Sequence, residues 1–131
     1  MILREAGPAD AGAIAAFHNR IWHETYGTLA PPEALARLDE AHRLRQWARV
    51  LGLPPPQGAV LAMDGAQIAG LVSFGPPDHP LHGGRGAIGH LYVDRAARGT
   101  GLGRRLLLLA HERLAAAGFP GAALAVVRGN L

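Results

Sequence analysis

The sequence predicts an α+β domain of the mixed α/β kind, with helices flanking a central, mainly antiparallel sheet in the order β-α-α-β-β-β-α-β. Three stretches carry apolar residues at the three-and-four spacing of amphipathic helices, and short apolar runs typical of strands lie between them. The chain has 131 residues, of which 49% are hydrophobic and 18% are charged. These values suit one folded domain over residues 1–131, so we expect a single compact core.

One strand and one helix are predicted at the start of the chain. Ile2 to Glu5 form the strand, and Gly7-Pro8-Ala9-Asp10 marks a helix start because it places a proline and an acid in the first turn. The helical pattern fades at Tyr26-Gly27. The apolar stripe of this helix consists of Ile14, Phe17 and Ile21. We expect that stripe to face the sheet.

A second helix is predicted from Pro31 to Leu51. Gly52 and the three prolines that follow it end the helix, because neither residue type continues a helix easily. Its charged residues, Arg43 among them, are expected mostly on the exposed surface. The opposite, apolar face consists of Leu35, Leu38, Ala41, Leu44, Trp47 and Leu51. This face is expected to pack into the core.

The middle of the chain changes to strand-like patterns. Apolar runs at Ala59 to Met63 and Gln67 to Phe74 are joined by Asp64-Gly65, a dipeptide suited to a tight turn, so two antiparallel strands are expected here. The next segment, Gly75 to Gly84, is too rich in glycine and proline for a regular element and is predicted as a loop. A further strand is predicted from Ala87 to Val93.

A glycine-rich segment, Arg98-Gly-Thr-Gly-Leu-Gly103, lies between that strand and the last predicted helix. The helix continues to about Ala117, and Gly118 ends it. Its apolar stripe consists of Leu102, Leu106, Leu109, Ala110 and Leu114. A final strand is predicted from Ala122 to Val127.

The glycines at positions 99, 101 and 103 indicate a binding site for an anion. Residues without a Cβ allow a sharp turn, so that successive backbone N–H groups converge at the positive end of the following helix. Phosphate is a typical ligand of such a loop. The chain has no lysine, which excludes a Walker-type loop. The glycine spacing, and the lack of an acid after the final strand, weigh against a dinucleotide-binding motif.

The composition bears on several other functions. All 13 basic residues are arginines, the net charge is +3, and no long basic block is present, so nucleic acid is not indicated as a partner. The chain has no cysteine, which excludes disulfides and thiolate catalysis. His79 and His82 are three apart in the predicted loop, and His18 and His23 are five apart on a helix, which does not place both on one face, so no metal is expected.

We expect a protein of the cytoplasm that does not span a membrane. No stretch approaches the ~18 consecutive apolar residues of a transmembrane helix. The N-terminal residues also lack the basic region and apolar core of a secretory signal.

The segment from Leu91 to Arg104 resembles the signature of the GCN5-related N-acetyltransferase (GNAT) superfamily. The family's pyrophosphate loop has the pattern Arg/Gln-x-x-Gly-x-Gly/Ala, which Arg98, Gly101 and Gly103 match here. The resemblance extends over nearly the whole chain. Further matching positions are Pro8, Ala9, Asp10, Trp22, Tyr26, Asp64, Gly65, Ala116, Gly118, Phe119 and Asn130.

This resemblance implies that the protein uses acetyl coenzyme A as co-substrate and transfers its acetyl group to an amine. The pyrophosphate would lie on the backbone amides of the loop, and the pantetheine arm would pair with the backbone of the fourth strand. The implied cofactor-binding residues are Leu91, Val93, Arg98, Gly99, Thr100, Gly101, Leu102, Gly103, Arg104 and Asn130. Arg105 is either a further cation at this site or part of a solvated first helical turn.

The sequence departs from the family pattern at the catalytic residues. Many relatives have a glutamate on the fourth strand, where this chain has His90 as the titratable replacement, with an intrinsic pKa near ~6.5 that suits a general base. A merely structural or exposed histidine is the alternative. Glu24 and Asp78 are further candidate bases, or else ordinary surface acids. In the family a tyrosine often serves as general acid and protonates the coenzyme A thiolate. It lies in a C-terminal segment that this sequence lacks, and neither Tyr26 nor Tyr92 matches its position.

The sequence therefore indicates two candidate functions. The first is an acetyl-CoA-dependent N-acetyltransferase for a small-molecule or protein amine, with Trp22 and Tyr26 either lining the acceptor pocket or packing on the sheet. The second is a non-catalytic acyl-CoA-binding or interaction module. Because the domain is C-terminally short relative to the family, the last strand is expected to have an open edge. We therefore expect a homodimer through that edge, or a truncated piece of a longer protein.

Overall fold

The computed structural model describes residues 1–26, 29, 31–33, 39–77 and 83–124. They fall into two compact units, one made of Met1–Ala6 and Leu53–Leu131 and the other of Gly7–Gly52. The strands are β1 (Ile2–Glu5), β2 (Gly58–Asp64), β3 (Gln67–Gly75), β4 (Gly86–Val93) and β5 (Ala122–Leu124). The described α-helices are α1 (Ala11–Tyr26), α2 (Glu40–Leu51) and α3 (Leu102–Ala116). The expectation of a single domain over residues 1–131 stays a prediction.

The first unit is built on one sheet with the strand order β1-β2-β3-β4-β5. All neighbouring strands are antiparallel except β4 and β5, which are parallel. This confirms the predicted α+β class, the mainly antiparallel sheet and the order of the described elements. The predicted turn at Asp64-Gly65 was one residue early. Asp64 still pairs with Gln67, so the hairpin loop consists of Gly65 and Ala66.

Helix α3 covers one face of the sheet. Its predicted stripe is buried at Leu102, Leu106, Ala110 and Leu114, whereas Leu109 is half-buried. These side chains pack against alternate residues of the strands, chiefly Val60, Ala62, Val72, Phe74 and Ile88. The short 3-10 turn Arg95–Ala97 connects β4 to the segment that precedes α3.

The second unit contains α1 and α2, which pack against each other. The stripe of Ile14, Phe17 and Ile21 in α1 is buried, as the sequence predicts. The second helix, however, was predicted wrongly as one continuous element from Pro31. Asp39 is extended and its carboxylate accepts a hydrogen bond from the backbone N–H of His42 at 2.8 Å, so a separate helix begins at Glu40. Residues 34–38, with Leu35 and Leu38, lie outside the described part of the chain.

The buried face of α2 also differs from the prediction. Arg43 is only 4% exposed, whereas Leu44 is 43% exposed. The reason is a polar contact between the two helices. Arg43 Nη1 lies 3.0 Å from Nε2 of His18, and Trp47 Nε1 lies 3.0 Å from Nδ1 of the same ring. The Arg43 guanidinium also lies 5.3 Å from the ring centroid of Trp22, so Trp22 packs within this helix pair.

Candidate functional site

The glycine-rich segment forms a tight loop between the 3-10 turn and α3. Gly99 and Gly101 have φ angles of 81° and 84°, in the left-handed region that residues with a Cβ rarely adopt. The Thr100 hydroxyl donates a hydrogen bond to the carbonyl of Ala97, and Ala97 itself is buried. This hydrogen bond fixes the start of the loop. The sequence therefore has glycine where this turn requires it.

The loop ends at the N-terminus of α3 and presents backbone donors there. The first helical hydrogen bond runs from Arg105 N–H to the carbonyl of Gly101, at 3.1 Å. The N–H groups of Leu102, Gly103 and Arg104 precede that bond, so they have no acceptor within the helix and point out of its positive end. A Cβ on Gly99 or Gly101 would meet no atom within 4 Å, which shows that the space beside the loop is open.

Gly103 differs from the other two glycines. The sequence analysis placed all three where the chain turns sharply, but Gly103 lies in the first turn of α3 and its φ is not positive. A Cβ there would lie 3.5 Å from Val93 Cγ2, an ordinary contact distance. Gly103 thus contributes a backbone amide rather than the turn.

The three arginines in and next to the glycine-rich loop lie in different surroundings. Arg98 is exposed and its Nε donates to the carbonyl of Val93 at 3.3 Å, which holds the base of the side chain beside the end of β4. Arg104 is exposed in the first turn of α3. Arg105 lines a cavity of about 280 Å³ beside the β2–β3 turn, together with Asp64 and Asp94. Two carboxylates and the Arg105 guanidinium therefore line the same cavity.

The second half of β4 has a different pairing from the first half. Strand β5 pairs with Gly86, Ala87 and Ile88 only, while β3 pairs along the other edge as far as Val93. Within the described residues, no strand pairs with the outer edge of β4 from residue 89 to 93. The side chains of Leu91 and Val93 are half-buried against the core, so their backbone groups rather than their side chains are presented at this edge.

A one-residue bulge in β4 determines where His90 lies. Ile88 pairs with Phe74 and His90 with Ser73, so Gly89 is an extra residue with no partner on β3. Side chains alternate between faces along a strand, and without the bulge His90 would share the α3 face with Ile88. The extra residue transfers His90 to the opposite face.

His90 is half-buried, and its Nδ1 lies 2.8 Å from the Oγ of Ser73. Ser73 is 5% exposed and is the single serine of the chain. This contact was not predicted from the sequence. Two signals were present: Ser73 is the one hydroxyl residue in an apolar strand, and Ile88 and Leu91 are three apart, an odd spacing for residues on one face of a strand.

Several other predicted residues belong to the second unit or lie outside the described residues. Glu24 is on α1 in the second unit, where Arg20 pairs with it at 3.3 Å. Trp22 and Tyr26 are neighbours on the same helix, with ring centroids 5.5 Å apart. Asn130, Asp78, His79 and His82 lie outside the described residues, as do residues 125–127 of the predicted last strand.

Two further features, a metal-binding cluster and a membrane-spanning helix, are absent from the described residues. In the described part of the chain, no group of three or more histidine and carboxylate side chains is placed to hold a metal ion. None of the helices found within the described ranges is long and apolar enough to cross a membrane.

Comparison with protein families gives one match that covers most of the chain. The sequence profile of the acetyltransferase (GNAT) family matches residues 15–131. That range includes the glycine-rich loop, β4 and the bulge. A search of curated proteins finds no match.

Solved structures share the fold at low sequence identity. An integron cassette protein from the mobile metagenome of Cole Harbour Salt Marsh has a TM-score of 0.76 at 21% identity, covering 95% of this chain and 76% of its own. An aminoglycoside 6′-N-acetyltransferase of Acinetobacter haemolyticus has a TM-score of 0.76 at 17% identity, with coverages of 99% and 82%. The PaiA N-acetyltransferase of Thermoplasma acidophilum, solved in complex with coenzyme A, has a TM-score of 0.73 at 17% identity, with coverages of 98% and 80%.

Proposed function

The chain belongs to the acetyltransferase (GNAT) family, and we propose that it transfers the acetyl group of acetyl coenzyme A to an amine of a small molecule or a protein. The observation that carries this proposal is the loop at the N-terminus of α3, with two left-handed glycines and open space beside them. The relative from Thermoplasma acidophilum, whose structure contains coenzyme A, supports the choice of co-substrate.

The loop fits the pyrophosphate of the co-substrate. Backbone N–H groups of Leu102, Gly103 and Arg104 would donate to its oxygens, and the helix dipole favours negative charge at this position. Gly99 and Gly101 leave the space in which the oxygens would lie. The exposed guanidinium groups of Arg98 and Arg104 would offset part of the charge. Arg105 lines a cavity that Asp64 and Asp94 also line, so we leave it out of this site.

The outer edge of β4 fits the pantetheine arm. The amide groups of the pantetheine arm would pair with backbone groups of Leu91 and Val93. Within the described residues, no strand pairs with this edge of β4 from residue 89 to 93. These two side chains would remain in the core. Thr100 would shape the loop through its hydrogen bond to Ala97, and Asn130 is retained from the family resemblance as a further contact.

His90 is the proposed general base. Bound acetyl coenzyme A supplies an activated acetyl group, whose carbonyl carbon forms the new N–C bond as its C–S bond breaks. Before attack the acceptor must be a neutral amine, so a proton has to be removed from its nitrogen. Nε2 of His90 would take this proton, because the ordinary pKa of histidine is close to neutral pH. His90 follows the bulge directly and precedes the β4 edge residues.

The proposal also covers the setting in which the enzyme works. We propose that it works in the cytoplasm. We propose a homodimer, formed most simply through the outer edge of β5, which is the last strand in the described sheet order. Strand edges with unpaired backbone groups tend to recruit another strand.

The main alternative is a non-catalytic module that binds acyl coenzyme A. Both functions predict stabilisation by acetyl coenzyme A, but only the enzyme releases thiol in the presence of an amine. The experiment is therefore a thiol-release assay with a panel of small amines and basic peptides. We expect His90→Ala to lower kcat/KM about 100-fold or more at neutral pH, and the wild-type rate to fall below pH 6–7. Binding without turnover for every amine would favour the non-catalytic module.

A further inference from the structure

We infer that Ser73 is a positioning residue that accepts a hydrogen bond from Nδ1–H of His90 and thereby keeps Nε2 as the basic nitrogen. This inference rests on the proposed function of His90 as general base. It adds a residue on β3, a strand to which no part of the catalytic machinery has been assigned above. The contact on which it depends is the 2.8 Å separation of Ser73 Oγ and His90 Nδ1.

The chemistry of a neutral imidazole makes the direction of this hydrogen bond decisive. One ring nitrogen carries the proton and the other is basic, and the partner of the first determines which is which. If the serine hydroxyl donates to Nδ1, the proton lies on Nε2 and that nitrogen cannot accept another. If Nδ1–H donates to the serine oxygen, Nε2 is free of a proton and can accept one from an amine. Only the second arrangement makes His90 a base through Nε2.

The local backbone explains why this pair is held in one geometry. Ser73 and His90 are directly opposite in the β3–β4 ladder, and the bulge at Gly89 brings them to the same face. A Cβ on Gly89 would lie 3.2 Å from Ser73 Oγ, so a larger residue would displace the hydroxyl. Ser73 is buried, which keeps bulk water from replacing its oxygen at Nδ1. The ring orientation is therefore determined by the sheet rather than by solvent.

The test reads the tautomer directly. Long-range ¹H–¹⁵N correlation spectra of uniformly ¹⁵N-labelled protein distinguish Nδ1–H from Nε2–H, and the His90 signals are those missing from the spectrum of His90→Ala. We expect the Nδ1–H form in the wild type above the pKa of the ring. We expect Ser73→Ala to shift His90 towards the Nε2–H form that free histidine prefers. An Nε2–H form in the wild type would overturn the inference.

Kinetics provide the second readout. Ser73→Ala should lower kcat/KM for the amine about 10- to 100-fold and leave the KM for acetyl coenzyme A unchanged. Ile88→Val is the matched control, since it removes one methyl group from the opposite face of β4 and should retain wild-type kinetics. Equal rates for Ser73→Ala and wild type would overturn the inference and leave the proposed function intact. Absence of acetyl transfer by the wild type would instead refute the proposed function, while the spectra would still report which atom of the pair donates.

Discussion

Replacing Gly101 with aspartate is expected to abolish the stabilisation of the protein by acetyl coenzyme A. The φ of Gly101 is 84°, so a side chain there costs about 1–2 kcal/mol of folding free energy, and aspartate and asparagine are among the best tolerated. A Cβ meets no atom within 4 Å, so the new side chain fits without a clash. Asparagine has the same shape as aspartate without the charge. Gly101→Asn is therefore the matched control.

The loss of affinity can be worked out from Coulomb's law. A carboxylate about 5 Å from one pyrophosphate charge is repelled by about 3 kcal/mol at an effective dielectric constant of about 20. The pyrophosphate carries two charges, so screening by solvent and salt can halve the total and still leave about 3 kcal/mol. That free energy corresponds to a loss of more than 100-fold in affinity.

Calorimetric melting curves with and without acetyl coenzyme A measure this loss. At a ligand concentration about 100 times the wild-type Kd, the wild type should gain about 2.7 kcal/mol, or roughly 10 °C in Tm for a domain of this size. Gly101→Asn has the same bulk without the charge, so it should retain more of this gain than Gly101→Asp. Gly101→Asp should retain about 0.3 kcal/mol, or roughly 1 °C. Gains in both variants equal to that of the wild type would refute the placement of the pyrophosphate on this loop.

Three further predictions concern stability and assembly. Gly86→Ala should lower the free energy of unfolding by about 1–3 kcal/mol, because its Cβ would lie 2.6 and 2.9 Å from the two methyl carbons of buried Leu114; an unchanged urea midpoint would contradict this packing. Asp39→Ala should cost about 1 kcal/mol through loss of the cap on His42 N–H, while Asp39→Asn should cost little; equal urea stabilities of the two variants would show that the cap contributes nothing. Multi-angle light scattering at about 100 μM should give the mass of a dimer, and a stable monomer would count against pairing through β5.

The sequence predicted most of the fold because its signals are local and periodic. The stripe of α3 and the alternating runs of β2 and β3 specify element type without reference to the rest of the chain. The break before α2 escaped detection because the apolar spacing runs on across Asp39. The carboxylate of Asp39 caps the N–H of His42 and so determines where α2 begins. The spacing of apolar residues gives no information about such a cap. Burial of Arg43 likewise depends on its partner His18, which is distant in sequence.

The candidate site divides in the same way. The tight glycine-rich loop could be predicted because left-handed backbone requires glycine at fixed local positions, and Gly99 and Gly101 occupy them. The Ser73–His90 contact could not be predicted, because it depends on the register between two strands. A shift of one residue in that register changes the face of every later side chain on β4. Strand prediction by alternation alone therefore cannot assign a face to His90.

The bulge connects the proposed binding and catalytic functions of β4. Ile88 is held before it by the core and by pairing with β5, while Val93 after it lies beside Gly103 in the first turn of α3. Because Gly89 is accommodated as a bulge and not as a paired residue, Val93 lies beside the first turn of α3 while His90 faces the other side of the sheet. If Gly89 instead paired with Ser73 in a regular ladder, His90 would lie on the core face and Leu91 on the other, so the proposed binding and catalysis would fail together with stability. Ser73→Ala separates these effects, because it removes the hydroxyl beside His90 and leaves the bulge in place.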